Sequence, residues 1–222
     1  MAQPRIVSLL PSATEIAVAL GLGESLVGRS HECDYPLFVK ALPVVTSTRL
    51  EKGLTSRQID DRIQEIVRQG LSVYEVDTAL LRDLRPDLIL TQSQCAVCAV
   101  TPADLEEALG DWIGTAPTLL SLAPDTLEDV WSDFAKVAEA AGIPERASSV
   151  VGDLKERMSG LSRSSAERMD RPRVAAIEWI DPLMAAGNWV PELIEAAGGR
   201  TFFLFTSLIN LGKYRNKLEY TN

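Results

Sequence analysis

The sequence predicts an α/β protein in which a parallel sheet is covered by helices and followed by a long helical segment. Up to residue 124, short apolar runs rich in β-branched residues alternate with segments of helical periodicity, which is typical of a parallel sheet with helical crossovers. Residues 125–169 are then almost wholly helical in pattern. A new strand-like run and a further helix follow, so a second α/β unit is predicted to begin near residue 171.

The strands predicted in the first part are short apolar runs. They are RIVSLL (5–10), SLVGRS (25–30), PVVTS (43–47), LSVYEVD (71–77), PDLILTQ (86–92) and APTLLSL (116–122). Ser12 is predicted to cap the helix after the first strand, with Glu15 completing a capping box. A second helix is predicted over 55–69, because its isoleucines recur on one face. Thr101, followed by Pro102, is predicted to start another helix.

The helical segment breaks at Gly142-Ile143-Pro144, and a long second run follows the break. About 25 residues of helix span roughly 37 Å, which exceeds the width of a small domain, so this helix can join two lobes. The predicted domains are an N-terminal lobe (1–124), the helical segment with the interlobe helix (125–170) and a C-terminal α/β part (171–222). In the last part, RVAAIEWI (173–180) is predicted as a strand, VPELIEAAGG (190–199) as a helix, and the residues from 201 as an atypical tail.

The composition is that of a globular protein of 222 residues, with 24% charged residues and a net charge of −9. No basic stripe is present to contact phosphates, so no nucleic-acid partner is expected. No apolar run reaches the roughly 18 residues that a membrane span needs, so no membrane insertion is expected. The N-terminus MAQPRIVSLLPS lacks the pattern of a signal peptide. This predicts a cytoplasmic protein as encoded, or a periplasmic or extracytoplasmic one if the start is misassigned.

The single histidine and the three cysteines all follow predicted strands, at His31, Cys33, Cys95 and Cys98. In a parallel sheet, ligands bind beyond the carboxyl ends of the strands, so these side chains can converge. Three interpretations stay open: a zinc site with four nitrogen and sulfur ligands, a thiol-redox site at Cys95 and Cys98, or packing in loops with the histidine hydrogen-bonded. An odd number of cysteines does not indicate a disulfide framework.

No catalytic motif is present, since the nucleophile elbow, the P-loop and the dinucleotide fingerprint are all missing from the sequence. With one histidine, any catalytic triad must use His31. Trp179 and Trp189 flank the turn IDPLMAAGN, where large aromatic side chains form either a ligand wall or ordinary packing. The sequence therefore predicts that the protein is not an enzyme.

Three segments taken together resemble the class III substrate-binding proteins of ABC importers, which serve cobalamin, haem and iron–siderophore uptake. RIVSLLPSATEIAVALGLGESLVGRSHECDYP (5–36) is similar to the family's N-terminal signature, and LRDLRPDLILTQ (81–92) to a later element. VAAIEWIDPLMAAGNWVPELIEAAGG (174–199) is similar to the start of the second lobe. The resemblance covers about residues 5–199, and the CDYP turn and the DPLMAAG segment bring it nearest to the cobalamin-binding branch.

The resemblance implies two α/β lobes joined by one long helix, with the ligand in the cleft between them. The second lobe is expected to be incomplete, because only about 50 residues follow Arg171. The resemblance also implies non-catalytic binding of a corrinoid by a monomer, with no required cofactor and an ABC importer permease as partner. By position, the cleft residues are Ser12, His31, Glu32, Asp34, Tyr35, Thr48, Gln92, Glu178, Trp179 and Met184.

Two alternatives to a corrinoid ligand remain. The first alternative is another ligand of the same family, an iron–siderophore or haem. The second is a different class of protein, a cytoplasmic zinc or thiol-redox protein that uses Cys95 and Cys98 with His31 and Cys33. For a corrinoid ligand, an imidazole or thiolate of SHECDYP that approaches the cobalt is a further hypothesis.

Overall fold

The computed structural model describes residues 3–69, 71–93, 100, 105, 116–166 and 170–202. Its strands are β1 (Ile6–Ser8), β2 (Leu26–Arg29), β3 (Thr46–Thr48), β4 (Tyr74–Val76), β5 (Leu88–Gln92), β6 (Thr118–Leu122), β7 (Arg173–Val174), β8 (Ile177–Ile180), β9 (Leu183–Ala185) and β10 (Arg200–Thr201). Its α-helices are α1 (Pro11–Ala19), α2 (Ser56–Arg68), α3 (Thr78–Leu84), α4 (Leu127–Ala140), α5 (Glu145–Ala166) and α6 (Val190–Ala196). No helix in these ranges has both the length and the apolar character that a membrane crossing requires.

The central element is a four-stranded parallel sheet with the strand order β2-β1-β5-β6. Side chains alternate across β5, so Leu88 and Leu90 belong to one hydrophobic cluster and Ile89 to the other. The first cluster packs against α1 and α4, and the second against α2 and α3. Because both faces of the sheet are covered, β1 and most of β5 are fully buried. The predicted α/β fold class is confirmed.

Two predicted strands do not lie in the parallel sheet. β3 and β4 form a separate antiparallel pair, in which Thr46 faces Val76 and Thr48 faces Tyr74. The segment before β3 is linked to β2 only by a parallel bridge between Arg29 and Val44. Only Thr46 of β3 is buried, which is typical of an antiparallel pair with a solvated side and not of a strand covered on both faces.

The predicted start of α1 is wrong in one respect, because Ser12 does not cap the helix. The helix begins at Pro11, and the preceding Leu10 makes no side-chain cap. Proline at the first position replaces one of the amides that a capping side chain would otherwise satisfy. The start of α2 agrees with its prediction, and Thr55 and Gln58 form a reciprocal capping box there.

The interlobe helix α5 has 22 residues, which corresponds to a length of about 33 Å. It leads into a small second unit, in which β10 pairs in parallel with β7 and β8 pairs antiparallel with β9. The single strand predicted over 173–180 is therefore divided into β7 and β8. The Ser162 hydroxyl donates to the carbonyl of Ala196 at 2.8 Å, which joins α5 to the end of α6. The predicted tail from 201 lies outside the described residues except for Thr201 and Phe202.

Gly198 allows the second unit to approach the interlobe helix closely, because it has no side chain. It has a φ of +86°, and a Cβ placed there would lie 2.6 Å from the Cβ of Ser165. Gly198→Ala is therefore expected to lower the free energy of unfolding by about 2 kcal/mol, through backbone strain and steric overlap. Urea unfolding measures the change.

Gly152→Ala is the matched control for this substitution. Gly152 lies within α5 and has open space where a Cβ would be. The same substitution there should raise the free energy of unfolding by about 0.5–1 kcal/mol, because alanine loses less backbone entropy in a helix. Equal effects at the two positions would contradict the close contact at Gly198.

Candidate ligand-binding site

Polar groups from three segments meet where the parallel strands end. The amide of Ser30, just after β2, donates to the carbonyl of Ser8 at the end of β1, at 2.8 Å. The Thr46 hydroxyl, at the start of β3, donates to the Ser30 Oγ at 3.0 Å. All three side chains are buried. This network holds the SHECDYP loop at the carboxyl edge of the sheet, where ligands bind in folds of this class.

His31 is held by two hydrogen bonds and one ring contact. Its backbone amide donates to Thr46 Oγ1 at 3.1 Å, and its Nδ1 lies 2.8 Å from the same oxygen. The centroids of the His31 and Tyr74 rings are 5.6 Å apart, with the rings tilted at 49°. The imidazole is therefore fixed in one orientation and is only partly buried.

Tyr74 is a member of this cluster that the sequence did not identify. Its hydroxyl donates to Glu32 Oε1 at 3.2 Å, so the phenol joins β4 to the loop after β2. Burial, followed by the negative charge of Glu32, raises the pKa of the Tyr74 phenol well above its ordinary value. The phenol therefore stays protonated and keeps donating to Glu32 across the neutral range.

The raised pKa of Tyr74 predicts how stability depends on alkaline pH. Above about pH 10 the phenol ionises in the unfolded chain but not in the folded chain, so the free energy of unfolding should fall as pH rises. Tyr74→Phe should remove this part of the fall and lower stability at neutral pH by about 1 kcal/mol. Urea unfolding between neutral and alkaline pH measures both effects.

Tyr35→Phe is the matched control, because Tyr35 is 61% exposed. That variant should keep the alkaline decrease of the parent chain. An alkaline decrease that is unchanged by Tyr74→Phe would contradict the buried, protonated phenol.

Cys33 lies beneath the loop. It is fully buried, and its Sγ is 3.1 Å from the Oγ1 of Thr14, which donates to it. Burial raises the pKa of the Cys33 thiol, which disfavours the thiolate that a zinc ion binds. No group of three or more metal-ligating side chains occurs among the described parts of the chain. Because Cys95 and Cys98 lie outside those parts, the four-ligand zinc site stays a prediction.

Several other predicted residues lie on the surface around this cluster. Ser12, in the first turn of α1, and Asp34 are exposed. Thr48, at the end of β3, is also exposed, and its Oγ1 accepts from the amide of Leu50 at 3.1 Å. Gln92 ends β5 and is partly buried. These side chains lie at the ends of elements, as predicted, but the structure does not gather them into one cluster with His31.

The second unit contributes the hairpin of β8 and β9. Trp179 pairs with Met184 across this hairpin, and its Nε1 donates to the carbonyl of Asp181 at 2.9 Å. Glu178, the neighbouring residue on β8, is exposed. Of the three predicted hairpin residues, Trp179 and Met184 are therefore partly buried, and they lie opposite each other on the two paired strands.

An ion pair joins this hairpin to the first lobe. Arg57, in the first turn of α2, pairs with the Asp181 carboxylate in the hairpin turn. The hairpin therefore contacts the start of α2.

Comparisons with known proteins agree in sequence and in fold. No family model matches the chain. It is 24% identical to the vitamin B12-binding protein of Photorhabdus laumondii over 200 residues, which is 90% of this chain and 61% of that protein. The periplasmic vitamin B12-binding protein BtuF of Vibrio cholerae has a similar structure, with a TM-score of 0.62 and 23% identity over 93% of this chain and 68% of that one.

A haem-binding protein has a similar fold. The periplasmic haem-binding protein RhuT from Roseiflexus sp. RS-1 gives a TM-score of 0.61 and 25% identity, over 90% of this chain and 65% of that one. The chain thus spans about three fifths of the curated relative's length. The chain has the fold of the class III substrate-binding proteins, and in sequence it resembles their vitamin B12-binding branch.

Proposed function

We propose that the chain binds a corrinoid between the carboxyl edge of its first lobe and the β8–β9 hairpin, without catalysing a reaction. The observation that carries this proposal is the Arg57–Asp181 ion pair. It joins the turn of the hairpin that carries Trp179 and Met184 to the start of α2 in the first lobe. The likeness to a protein named vitamin B12-binding protein supports the same ligand class.

The chemistry of the two surfaces suits a large planar ligand with polar substituents. Trp179 and Met184 offer an aromatic ring and a polarizable thioether, which pack well against an extended flat ligand. Glu32, Thr48 and Gln92 offer carboxylate, hydroxyl and amide groups, which can hydrogen-bond to the amide side chains of a corrinoid. A mainly apolar wall with a few polar groups is the usual composition of a small-molecule site.

By the same likeness, the chain is the substrate-binding component of an ABC import system and acts with a permease outside the cytoplasm. The neighbour BtuF of Vibrio cholerae is a periplasmic protein by its name. Of the two locations that the sequence left open, we therefore propose the extracytoplasmic one.

Calorimetric titration with three ligands tests the ligand class. Hydroxocobalamin, haemin and a ferric hydroxamate siderophore are each titrated into the folded chain. We expect saturable binding of hydroxocobalamin at about one per chain, and weaker binding of the other two. Preferred binding of the siderophore, or no binding of hydroxocobalamin by folded protein, would contradict the proposal.

Haem is the second candidate ligand. It is favoured by the similar fold of a haem-binding protein and by the position of His31, since imidazole is a common axial ligand of haem iron. Haemin that binds more tightly than hydroxocobalamin in the same titration would assign the site to haem.

Metal analysis and thiol titration distinguish a zinc or thiol-redox role from the proposed binding of a corrinoid. If the chain binds a corrinoid, it should be purified with much less than one zinc per chain. Stoichiometric zinc, with thiols protected from reaction until the metal is chelated, would favour the zinc protein instead.

A further inference from the structure

The hydrogen bonds of Thr46 suit one tautomer of His31. Thr46 Oγ1 accepts from the backbone amide of His31 at 3.1 Å, and Ser30 Oγ lies 3.0 Å from the same oxygen. When the Thr46 proton is directed to Ser30, Thr46 also accepts from Nδ1, which is 2.8 Å away. The neutral imidazole then has its proton on Nδ1 and a lone pair on Nε2.

The contacts of Thr46 engage Nδ1 and not Nε2. Nδ1 lies against the buried Thr46 hydroxyl, and His31 as a whole is partly buried. Within the described residues, no hydrogen-bond partner approaches Nε2. The ring contact with Tyr74, whose hydroxyl is held by Glu32, restricts rotation of the imidazole.

An imidazole that donates through one nitrogen and has the other free is the arrangement found in metal-binding histidines. There the donated hydrogen bond fixes the tautomer and makes the second nitrogen more basic. In this chain the acceptor is a threonine hydroxyl. Since His31 is the only histidine of the chain, no other imidazole can take this role.

We propose that Nε2 of His31 coordinates the metal of the bound ligand along its axial direction. The inference rests on the proposed function and narrows the ligand class. The site would bind a planar metal macrocycle whose axial ligand can be replaced by Nε2. A siderophore would not form this bond, because its oxygen atoms already occupy the coordination positions of iron.

The step is a ligand exchange without redox chemistry. In the aquo form of hydroxocobalamin, the bond between cobalt(III) and the axial water breaks. The lone pair of Nε2 forms the new bond to cobalt, and water leaves. Cobalt stays in the same oxidation state, and no proton is released, because the imidazole proton remains on Nδ1 in its hydrogen bond to Thr46.

The test compares two cobalamins that differ in the exchangeability of the axial ligand. The chain, prepared without a polyhistidine tag, is titrated with hydroxocobalamin and with cyanocobalamin, whose cyanide is not displaced by imidazole. We expect a shift of the corrinoid absorption bands with hydroxocobalamin only. His31→Ala and His31→Gln should abolish that shift and weaken hydroxocobalamin binding about tenfold or more, a loss several times larger than that of cyanocobalamin binding.

Two further variants separate imidazole ligation from other causes. Thr46→Val removes the hydrogen-bond acceptor of Nδ1, and it should weaken hydroxocobalamin binding about tenfold with little effect on cyanocobalamin. A Cys95→Ser, Cys98→Ser double variant should keep the band shift, because the ligand atom is nitrogen. Circular dichroism verifies that each variant is folded.

Each contrary outcome has a distinct meaning. Saturable binding without a band shift, or equal loss of both cobalamins in the His31 variants, would overturn the axial bond and leave the proposed function intact. Loss of the shift in the cysteine variant would assign the bond to sulfur and overturn it as well. Binding of neither cobalamin by folded protein would overturn the proposed function and this inference together.

Discussion

Replacing Leu90 by alanine is expected to lower the free energy of unfolding by about 3 kcal/mol. Leu90 lies on β5, between β1 and β6 in the sheet, and its side chain is 0% exposed. The shortened side chain loses its apolar burial and leaves a cavity that the neighbouring strands cannot close. Urea unfolding followed by circular dichroism measures the change.

Leu161→Ala is the control for this substitution. Leu161 lies on the interlobe helix α5 and is 68% exposed, so its replacement should change stability by no more than about 0.5 kcal/mol. A loss of less than about 1 kcal/mol at Leu90, or equal losses at both positions, would contradict a sheet packed on both faces.

Replacing Trp179 by alanine is expected to weaken hydroxocobalamin binding about 30-fold, as for a large aromatic side chain at the centre of a binding site. Trp179 pairs with Met184 in the hairpin whose turn contacts the first lobe through the Arg57–Asp181 ion pair. Calorimetric titration measures the change in affinity. The unfolding curve of the same variant separates lost binding from lost structure.

Trp179→Phe is the conservative variant, since it keeps a flat aromatic face but lacks the indole N–H that donates to Asp181. It should retain affinity within about threefold, because most of the contact comes from aromatic area. If Trp179→Ala binds as tightly as the parent chain, the β8–β9 hairpin does not line the ligand site.

The sequence pattern predicted the parallel sheet well where burial alone decides the structure. β5 begins with the consecutive apolar residues LIL because the strand is covered on both faces, and such a run is readable as a buried strand. The recurrence of isoleucines on one face likewise predicted α2, and the structure adds the capping box of Thr55 and Gln58 at its start. Both predictions rest on a pattern within a short run of residues, which is why they are visible in the sequence.

Two of the features that were predicted wrongly depend on distant contacts. The antiparallel pairing of β3 with β4 joins segments almost thirty residues apart, and the short strand β3 has no pattern that distinguishes it from a parallel strand. The division between β7 and β8 also arises from pairing, because β7 joins β10 whereas β8 turns back on β9.

The candidate site was predicted in part for the same reason. His31 and Glu32 were identified through the loop after β2, but Thr46 and Tyr74 were not. Tyr74 looked like an ordinary strand residue, and its role depends on the contact of its hydroxyl with Glu32, 42 residues away in the chain. Thr48 was chosen at the end of the third strand, although the hydroxyl that holds His31 belongs to Thr46.

The position of the cobalt atom tests the proposed corrinoid site most directly. Crystals of the chain grown with hydroxocobalamin, measured at the cobalt absorption edge, locate the metal by its anomalous scattering. We expect one cobalt peak per chain, between His31 and the β8–β9 hairpin and within bonding distance of Nε2. A peak elsewhere on the surface would contradict the proposed site, and so would crystals of the folded chain that contain no cobalt.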